Sequence, residues 1–173
     1  EAVVLDPVFR TSTGAVALVP KGIAIMKQLL IPKVTVVTPN LDEAEELTGK
    51  GVRTLDAMKE AALRLYDSCR GVKYVIIKGG HLEKEPVDVL YDGEEWHLIG
   101  SKGRFAAQLH GTGCVYSAAL AGYLAKGETV PEAAKLAKRY INDWIRKQGE
   151  VIPSPQSDPD TSERALPSRS PVT

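Results

Sequence analysis

The sequence predicts an α/β fold in which a mostly parallel sheet is layered between helices. Three short runs at 2–5, 34–38 and 74–78 are apolar and rich in β-branched residues. They lack a polar–apolar alternation, which is typical of strands buried on both faces of a parallel sheet. Helical patterns separate these runs, and this order indicates right-handed crossovers in a doubly wound domain.

The helices between the strand runs have recognisable ends. One helical pattern covers about 20–30, and a short one follows Asn40 and ends at Gly49. A third covers about 54–69, with Thr54 as its N-cap and Gly71 just past its end.

The pattern changes after the third strand run. Residues 87–91 and 95–99 alternate around Asp92-Gly93, which predicts an antiparallel hairpin. Two helices follow at about 113–126 and 131–148, and the apolar stripe of the second indicates core packing. We therefore expect a domain over 1–150 and a Pro/Ser-rich disordered tail or linker over 151–173.

Composition excludes several classes of function. The 173-residue chain has 22 basic and 22 acidic residues, so nothing favours nucleic acid or a membrane surface as a partner. No apolar run is long enough to span a bilayer, and no signal peptide is visible at the N-terminus. Two cysteines are too few for a disulfide framework, which favours the cytoplasm.

Polar or glycine-rich turns follow all three strand runs. Asp6 follows the first, Asn40 and Glu43 follow the second, and Lys78-Gly79-Gly80 ends the third. Ligands of open α/β sheets bind beyond the carboxyl ends of the strands, so we expect these groups to converge. The oxygens of Asp6, Asn40 and Glu43 suit Mg²⁺. Asp6 could equally cap a turn, and Glu43 taken alone would by default be a surface helix residue.

A glycine-rich turn opens the helix at 113–126. Gly111 and Gly113 allow unusual backbone angles, and the free N–H groups of a helix start favour an anion such as phosphate. Cys114 lies in the first turn, where reactive thiols concentrate, although most cysteines are simply small buried residues. Lys78 is a cation suited to neutralising phosphate oxygens, or alternatively a strand-end lysine that extends into solvent.

Other kinds of site find less support. The Walker phosphate-binding sequence and the G-x-S-x-G elbow are absent. The three histidines and two cysteines lack zinc spacing, and we expect His97 to be an exposed strand residue. Cys69 falls late in an amphipathic helix, where a structural role is expected.

Five segments in this order resemble the later portion of hydroxymethylpyrimidine phosphate kinase, a family of the ribokinase-like superfamily. They are DPV at 6–8, TPNLDEAEELTG at 38–49, VIIKGGHL at 75–82, DVLYDG at 88–93 and HGTGCVYSAALAGYLAKG at 110–127. The resemblance covers about 1–148 and implies a three-layer α/β/α sandwich. It also implies that this chain is the nucleotide-binding half of the enzyme, and that a homodimer is to be expected.

The resemblance implies transfer of the ATP γ-phosphate, with Mg²⁺, to 4-amino-5-hydroxymethyl-2-methylpyrimidine or its monophosphate, in thiamine biosynthesis. By this resemblance Gly111 to Cys114 would form the anion hole, with Cys114 as catalytic base, and Lys78 would contact the ATP phosphates. Asp6 and Glu43 would hold the metal. The residues expected to line the nucleotide site are Asp6, Asn40, Gly79, Gly80, His110 and Thr112.

Three alternatives stay open at this point. A pyridoxal or pyridoxine kinase shares the chemistry, although that branch usually has Asp where this chain has Cys114. A non-catalytic nucleotide-binding module would bind ATP without turnover. A structural domain without a ligand would need all the strand-end motifs to coincide by chance.

Overall fold

The computed structural model describes residues 1–11, 14–80, 87–100 and 111–151. Five strands and five α-helices lie in this part of the chain. In order they are β1 (Val4–Leu5), α1 (Pro20–Ile25), β2 (Val36–Val37), α2 (Leu41–Thr48), α3 (Leu55–Ser68), β3 (Tyr74–Ile77), β4 (Val87–Tyr91), β5 (Trp96–Gly100), α4 (Thr112–Ala125) and α5 (Val130–Val151).

The five strands form one sheet in the order β1-β2-β3-β4-β5. The first three pair in parallel, and β4 and β5 form the predicted antiparallel hairpin. The sheet is thus mixed, with two parallel and two antiparallel pairings rather than a parallel majority. The reason is the connection over 78–86, which is shorter than the dozen or more residues that a parallel crossover needs.

Helices cover both faces of the sheet, which confirms the three-layer α/β/α sandwich. Alternate strand residues point to opposite faces. Val37, Val75 and Ile77 join the core that contains residues of α2 and α3. Val36 and Ile76 join the core that contains residues of α4 and α5. All five are fully buried, which explains why the strand sequences do not alternate.

Several predicted boundaries shift. The helix expected at 20–30 is α-helical only to Ile25 and continues as a π turn (Met26–Leu30) and a 3₁₀ turn (Ile31–Lys33). Pro32 helps to end this helical stretch, because it has no N–H to donate to the carbonyl group one turn earlier. The last helix extends to Val151, and 152–173 of the predicted tail lie outside the described residues. No helix in the described ranges is long and apolar enough to cross a membrane.

His97 lies in β5, as predicted, but its side chain is only partly exposed, so the expected exposure is wrong. Its Nε2 lies 2.8 Å from Asp92 Oδ2, and both side chains are half-buried. Asp92 Oδ1 also accepts hydrogen bonds from the backbone N–H groups of Glu94 and Glu95. The Glu95 bond and the His97 contact lower the pKa of Asp92 to about 2. His97 therefore helps to hold the hairpin turn.

Candidate active site

The carboxyl ends of β1, β2 and β3 lie side by side. The register pairs Leu5 with Val37 and Val37 with Val75, so Asp6 and Thr38 leave the sheet at the same edge. An isolated parallel bridge then joins Asn40 to Lys78. The predicted convergence of the strand-end turns is therefore present in the structure.

Lys78 and Asp6 form a largely buried ion pair that joins the end of β3 to the end of β1, across β2. Lys78 Nζ lies 2.7 Å from Asp6 Oδ1, and the two side chains are only 12% and 16% exposed. The alternative of a strand-end lysine extending into solvent is wrong. The ammonium group and the carboxylate are instead paired at the edge of the sheet formed by the carboxyl ends of the parallel strands.

Lys78 also lies against the first turn of α4. A Cβ atom built on Gly113 would lie 3.2 Å from Lys78 Nζ, closer than nearly all real Cβ contacts. Gly113 therefore lets the ammonium group approach the helix backbone directly. Gly111, which precedes the helix, has φ +84°, a left-handed conformation that favours glycine.

Within the described part of the chain, the first turn of α4 has backbone N–H groups without hydrogen-bond partners. Asn40 caps α2 and Thr54 caps α3 through their side chains, but no side chain caps α4. The first hydrogen bond in α4 is from Val115 N to Gly111 O, at 3.0 Å. The N–H groups of Thr112, Gly113 and Cys114 are thus left without partners among the described residues, and the helix dipole favours an anion beside them.

Asn40 and Glu43 form a capping box at the start of α2. Asn40 Oδ1 accepts from Glu43 N at 2.9 Å, and Glu43 Oε2 accepts from Asn40 N at 2.7 Å. Glu43 is buried, so the alternative of a surface helix residue is wrong. This burial raises its pKa from 4.5 to about 7, against the opposing effect of the Lys78 charge. The pair that the sequence suggested for metal binding therefore also holds the helix start.

Asp6 and Glu43 are suitable donors for Mg²⁺. Each uses one carboxylate oxygen, which leaves Asp6 Oδ2 and Glu43 Oε1 without hydrogen-bond partners among the described residues. In the described ranges, no group of three or more His, Cys, Asp or Glu side chains is placed so that it could hold a metal ion by itself. Mg²⁺ commonly needs only one or two carboxylates, because substrate phosphates and water complete its octahedron. The donor set fits an ion that arrives with a nucleotide.

The two cysteines differ in environment. Cys114 is exposed in the first turn of α4, so the alternative of a small buried residue is wrong. Cys69 is fully buried, and burial raises the pKa of its thiol, which confirms its structural role. Of the other residues expected at the nucleotide site, two glycines are described by the structure and one histidine is not. Gly79 is buried and Gly80 is exposed in the turn after Lys78, whereas His110 lies outside the described residues.

Sequence reasoning missed the side chains that fasten the site to its surroundings. The hydroxyl oxygens of Thr38 and Ser117 lie 3.0 Å apart in the interior, and Ser117 Oγ donates to Gly113 O at 3.1 Å. This contact ties the first turn of α4 to the end of β2. Asp88 Oδ1 accepts from Gly79 N at 2.9 Å and holds the turn after Lys78. Only the small size of Ser117 and the strand-end position of Thr38 gave any signal.

The amino-acid sequence matches that of known kinases along all of the described chain. The sequence profile of phosphomethylpyrimidine kinase matches residues 1–154. The chain belongs to this family. The thiamine biosynthesis bifunctional protein ThiED of Geobacter sulfurreducens is 41% identical over 145 residues, which cover 83% of this chain and 29% of that protein. The hydroxymethylpyrimidine/phosphomethylpyrimidine kinase of Bacillus subtilis is 38% identical, and the match covers 83% of this chain and 53% of that protein.

Solved structures confirm the ribokinase-like kinase fold. The pyridoxal kinase from Staphylococcus aureus in complex with ADP superposes with a TM-score of 0.76 at 36% identity, covering 84% of this chain and 53% of that one. The chain thus spans about half the length of these two kinases. The matched half contains the strand ends and the start of α4 described above.

Proposed function

We propose that the chain provides the nucleotide-binding half of a Mg·ATP-dependent kinase of thiamine biosynthesis. Its acceptor is the hydroxymethyl group of 4-amino-5-hydroxymethyl-2-methylpyrimidine or of its monophosphate. The observation that carries the proposal is the contact between Lys78 Nζ and Gly113, at the uncapped start of α4. An ammonium group and three N–H groups that have no partner among the described residues converge there on one place, where a phosphoryl group would find donors on two sides.

In this proposal the chain acts mainly by positioning and by neutralising charge. The acceptor oxygen forms a bond to the γ-phosphorus, the bond from that phosphorus to the bridging oxygen breaks, and ADP leaves. The N–H groups of Thr112, Gly113 and Cys114 stabilise the charge on the transferring oxygens, together with Lys78. Mg²⁺, when bound, supplies positive charge to the phosphate oxygens, and Asp6 and Glu43 are the residues that would hold it.

We assign the proton of the acceptor hydroxyl to Cys114 Sγ. The exposure of Cys114 supports this role, because a substrate must reach the base that deprotonates it. A Cys114→Ala variant should therefore keep its affinity for Mg·ATP and lose phosphoryl transfer.

Titration calorimetry with Mg·ATP tests the proposal once circular dichroism has shown that the chain is folded. Lys78→Ala should weaken binding by about 10-fold or more, because a hydrogen bond to a charged group is lost. Lys73→Ala is the matched control, since Lys73 is exposed and precedes β3 at its opposite end. No binding heat from the folded wild-type chain, or equal losses in both variants, would refute the phosphate site.

A pyridoxal kinase is the second candidate, supported by the superposition on the Staphylococcus aureus enzyme. Assays with the pyrimidine and with pyridoxal, side by side, separate the two. Nucleotide binding without turnover of either would instead support the non-catalytic module. We place the protein in the cytoplasm, supported by the two free thiols of Cys69 and Cys114. Recovery of the active protein from an oxidising compartment would contradict that placement.

A further inference from the structure

A buried ion pair between Asp88 and Lys138 lies close to the site and has no role in the chemistry proposed above. Lys138 Nζ of α5 is 2.8 Å from Asp88 Oδ1 of β4, and the two side chains are only 9% and 2% exposed. Removing two charges from water is costly, and well-packed apolar residues often serve stability as well as a buried pair does. A contribution to stability alone therefore does not explain why the pair is here.

The same carboxylate oxygen also binds the backbone beside the proposed phosphate-binding lysine. Asp88 Oδ1 accepts a hydrogen bond from Gly79 N at 2.9 Å, in addition to the bond from Lys138. On the other side, Lys78 N donates to Pro39 O at 2.8 Å. Two consecutive amides are thus anchored in two directions, just past the end of β3.

We propose that Asp88 and Lys138 are positioning residues that fix the turn at Gly79 and thereby hold Lys78 Nζ against the start of α4. Lys138 neutralises the buried charge and holds Asp88 Oδ1 in one orientation, so that this oxygen meets the Gly79 amide. The link to phosphate binding rests on the function proposed above. The effect on the turn and on Lys78 does not.

Two double variants isolate the contact to Gly79. Asp88→Asn with Lys138→Met removes both charges but keeps a carbonyl oxygen for the Gly79 amide. Asp88→Leu with Lys138→Met removes both charges and the acceptor. Neither variant leaves an unpaired buried charge, so the two differ mainly in the hydrogen bond under test.

Three measurements compare these variants with the wild-type chain. Hydrogen exchange at the Gly79 amide reports the turn, and amine acylation of Lys78 relative to the exposed Lys73, mapped by mass spectrometry, reports the position of the ammonium group. Calorimetry with Mg·ATP reports binding. In the Leu variant we expect Gly79 exchange, Lys78 acylation and the dissociation constant each to rise by about 10-fold. In the Asn variant we expect each to stay within about threefold of wild type.

Equal behaviour of the two variants in exchange and acylation would overturn the proposal. If wild type fails to bind Mg·ATP but the variants still differ in exchange and acylation, the proposed function fails and the positioning role stands. If the variant with Asp88→Leu does not fold, hydrogen exchange in the wild-type chain alone tests the proposal. Its Gly79 amide must then exchange at least about 10-fold more slowly than that of the exposed Gly80, and equal rates would overturn the proposal.

Discussion

Replacing Gly79 by Ala should damage the protein far more than the same change at the next residue. A Cβ atom on Gly79 would overlap the backbone carbonyl oxygen of Val87 and lie 2.8 Å from Met58 Cε. The methionine end can move, but the Val87 carbonyl is part of the strand backbone of β4. The added methyl group must therefore displace the turn itself.

The structure allows the size of this effect to be set. Overpacking a well-packed interior typically costs 1–3 kcal/mol, and we expect about 3 kcal/mol because backbone opposes the new atom. For a chain of this size, that loss corresponds to a decrease in Tm of about 6–12 °C. Gly80→Ala should change the free energy of unfolding by less than about 0.5 kcal/mol, because a Cβ there meets no described residue within 4 Å.

Urea unfolding followed by circular dichroism measures both variants under the same conditions. Mg·ATP binding is then measured on the folded fraction, where Gly79→Ala should also weaken affinity because Lys78 is displaced. An unfolding free energy for Gly79→Ala within about 0.5 kcal/mol of wild type would refute the reasoning about the close backbone contact.

Three further predictions concern pH, an unpartnered hydroxyl and association. Because the pKa of Glu43 rises from 4.5 to about 7 on folding, its contribution is complete below the lower value and is lost as pH rises through the upper one. Wild type should therefore lose about 3 kcal/mol of unfolding free energy across that window relative to Glu43→Gln, and parallel pH profiles in urea unfolding would contradict this. Tyr116 has a buried hydroxyl without a hydrogen-bond partner in the described chain, so Tyr116→Phe should raise the free energy of unfolding by about 1 kcal/mol. The same change at the exposed Tyr140 should have little effect. A loss of stability in thermal melts of Tyr116→Phe would count against this reasoning. Among the described residues β1 pairs only with β2, so its open edge should promote a homodimer, and a monodisperse monomer in light scattering would argue otherwise.

Much of the fold followed from local sequence. The buried strands, the hairpin at Asp92-Gly93 and the helix start at Thr54 were predicted because each depends on neighbouring residues. The lengths were less predictable. β1 and β2 each contain only two paired residues, and the helix that starts at Pro20 changes its winding at Met26. Such limits depend on packing against distant chain segments.

The sequence predicted the location of the candidate site more completely than it predicted the contacts within the site. The rule that ligands bind beyond parallel strand ends brought Asp6, Lys78 and the Gly111–Gly113 turn together before any coordinates. The sequence could not show that Lys78 pairs with Asp6, 72 residues away, or that Thr38 meets Ser117, 79 residues away. It also gave no reason to connect Asp88 with Lys138, because a lone Asp in a strand and a lone Lys in a helix are ordinary surface residues.

The sequence by itself determined the layered α/β class, the family and the residue types present at the proposed phosphate site. These depend on periodicity, glycine placement and short motifs, all of which act within a few residues. Only the tertiary structure decided which charges are buried, which amides are free and which side chain holds the turn after Lys78. Those outcomes depend on the distances between segments far apart in the chain, because burial and hydrogen bonding are set where strands and helices meet.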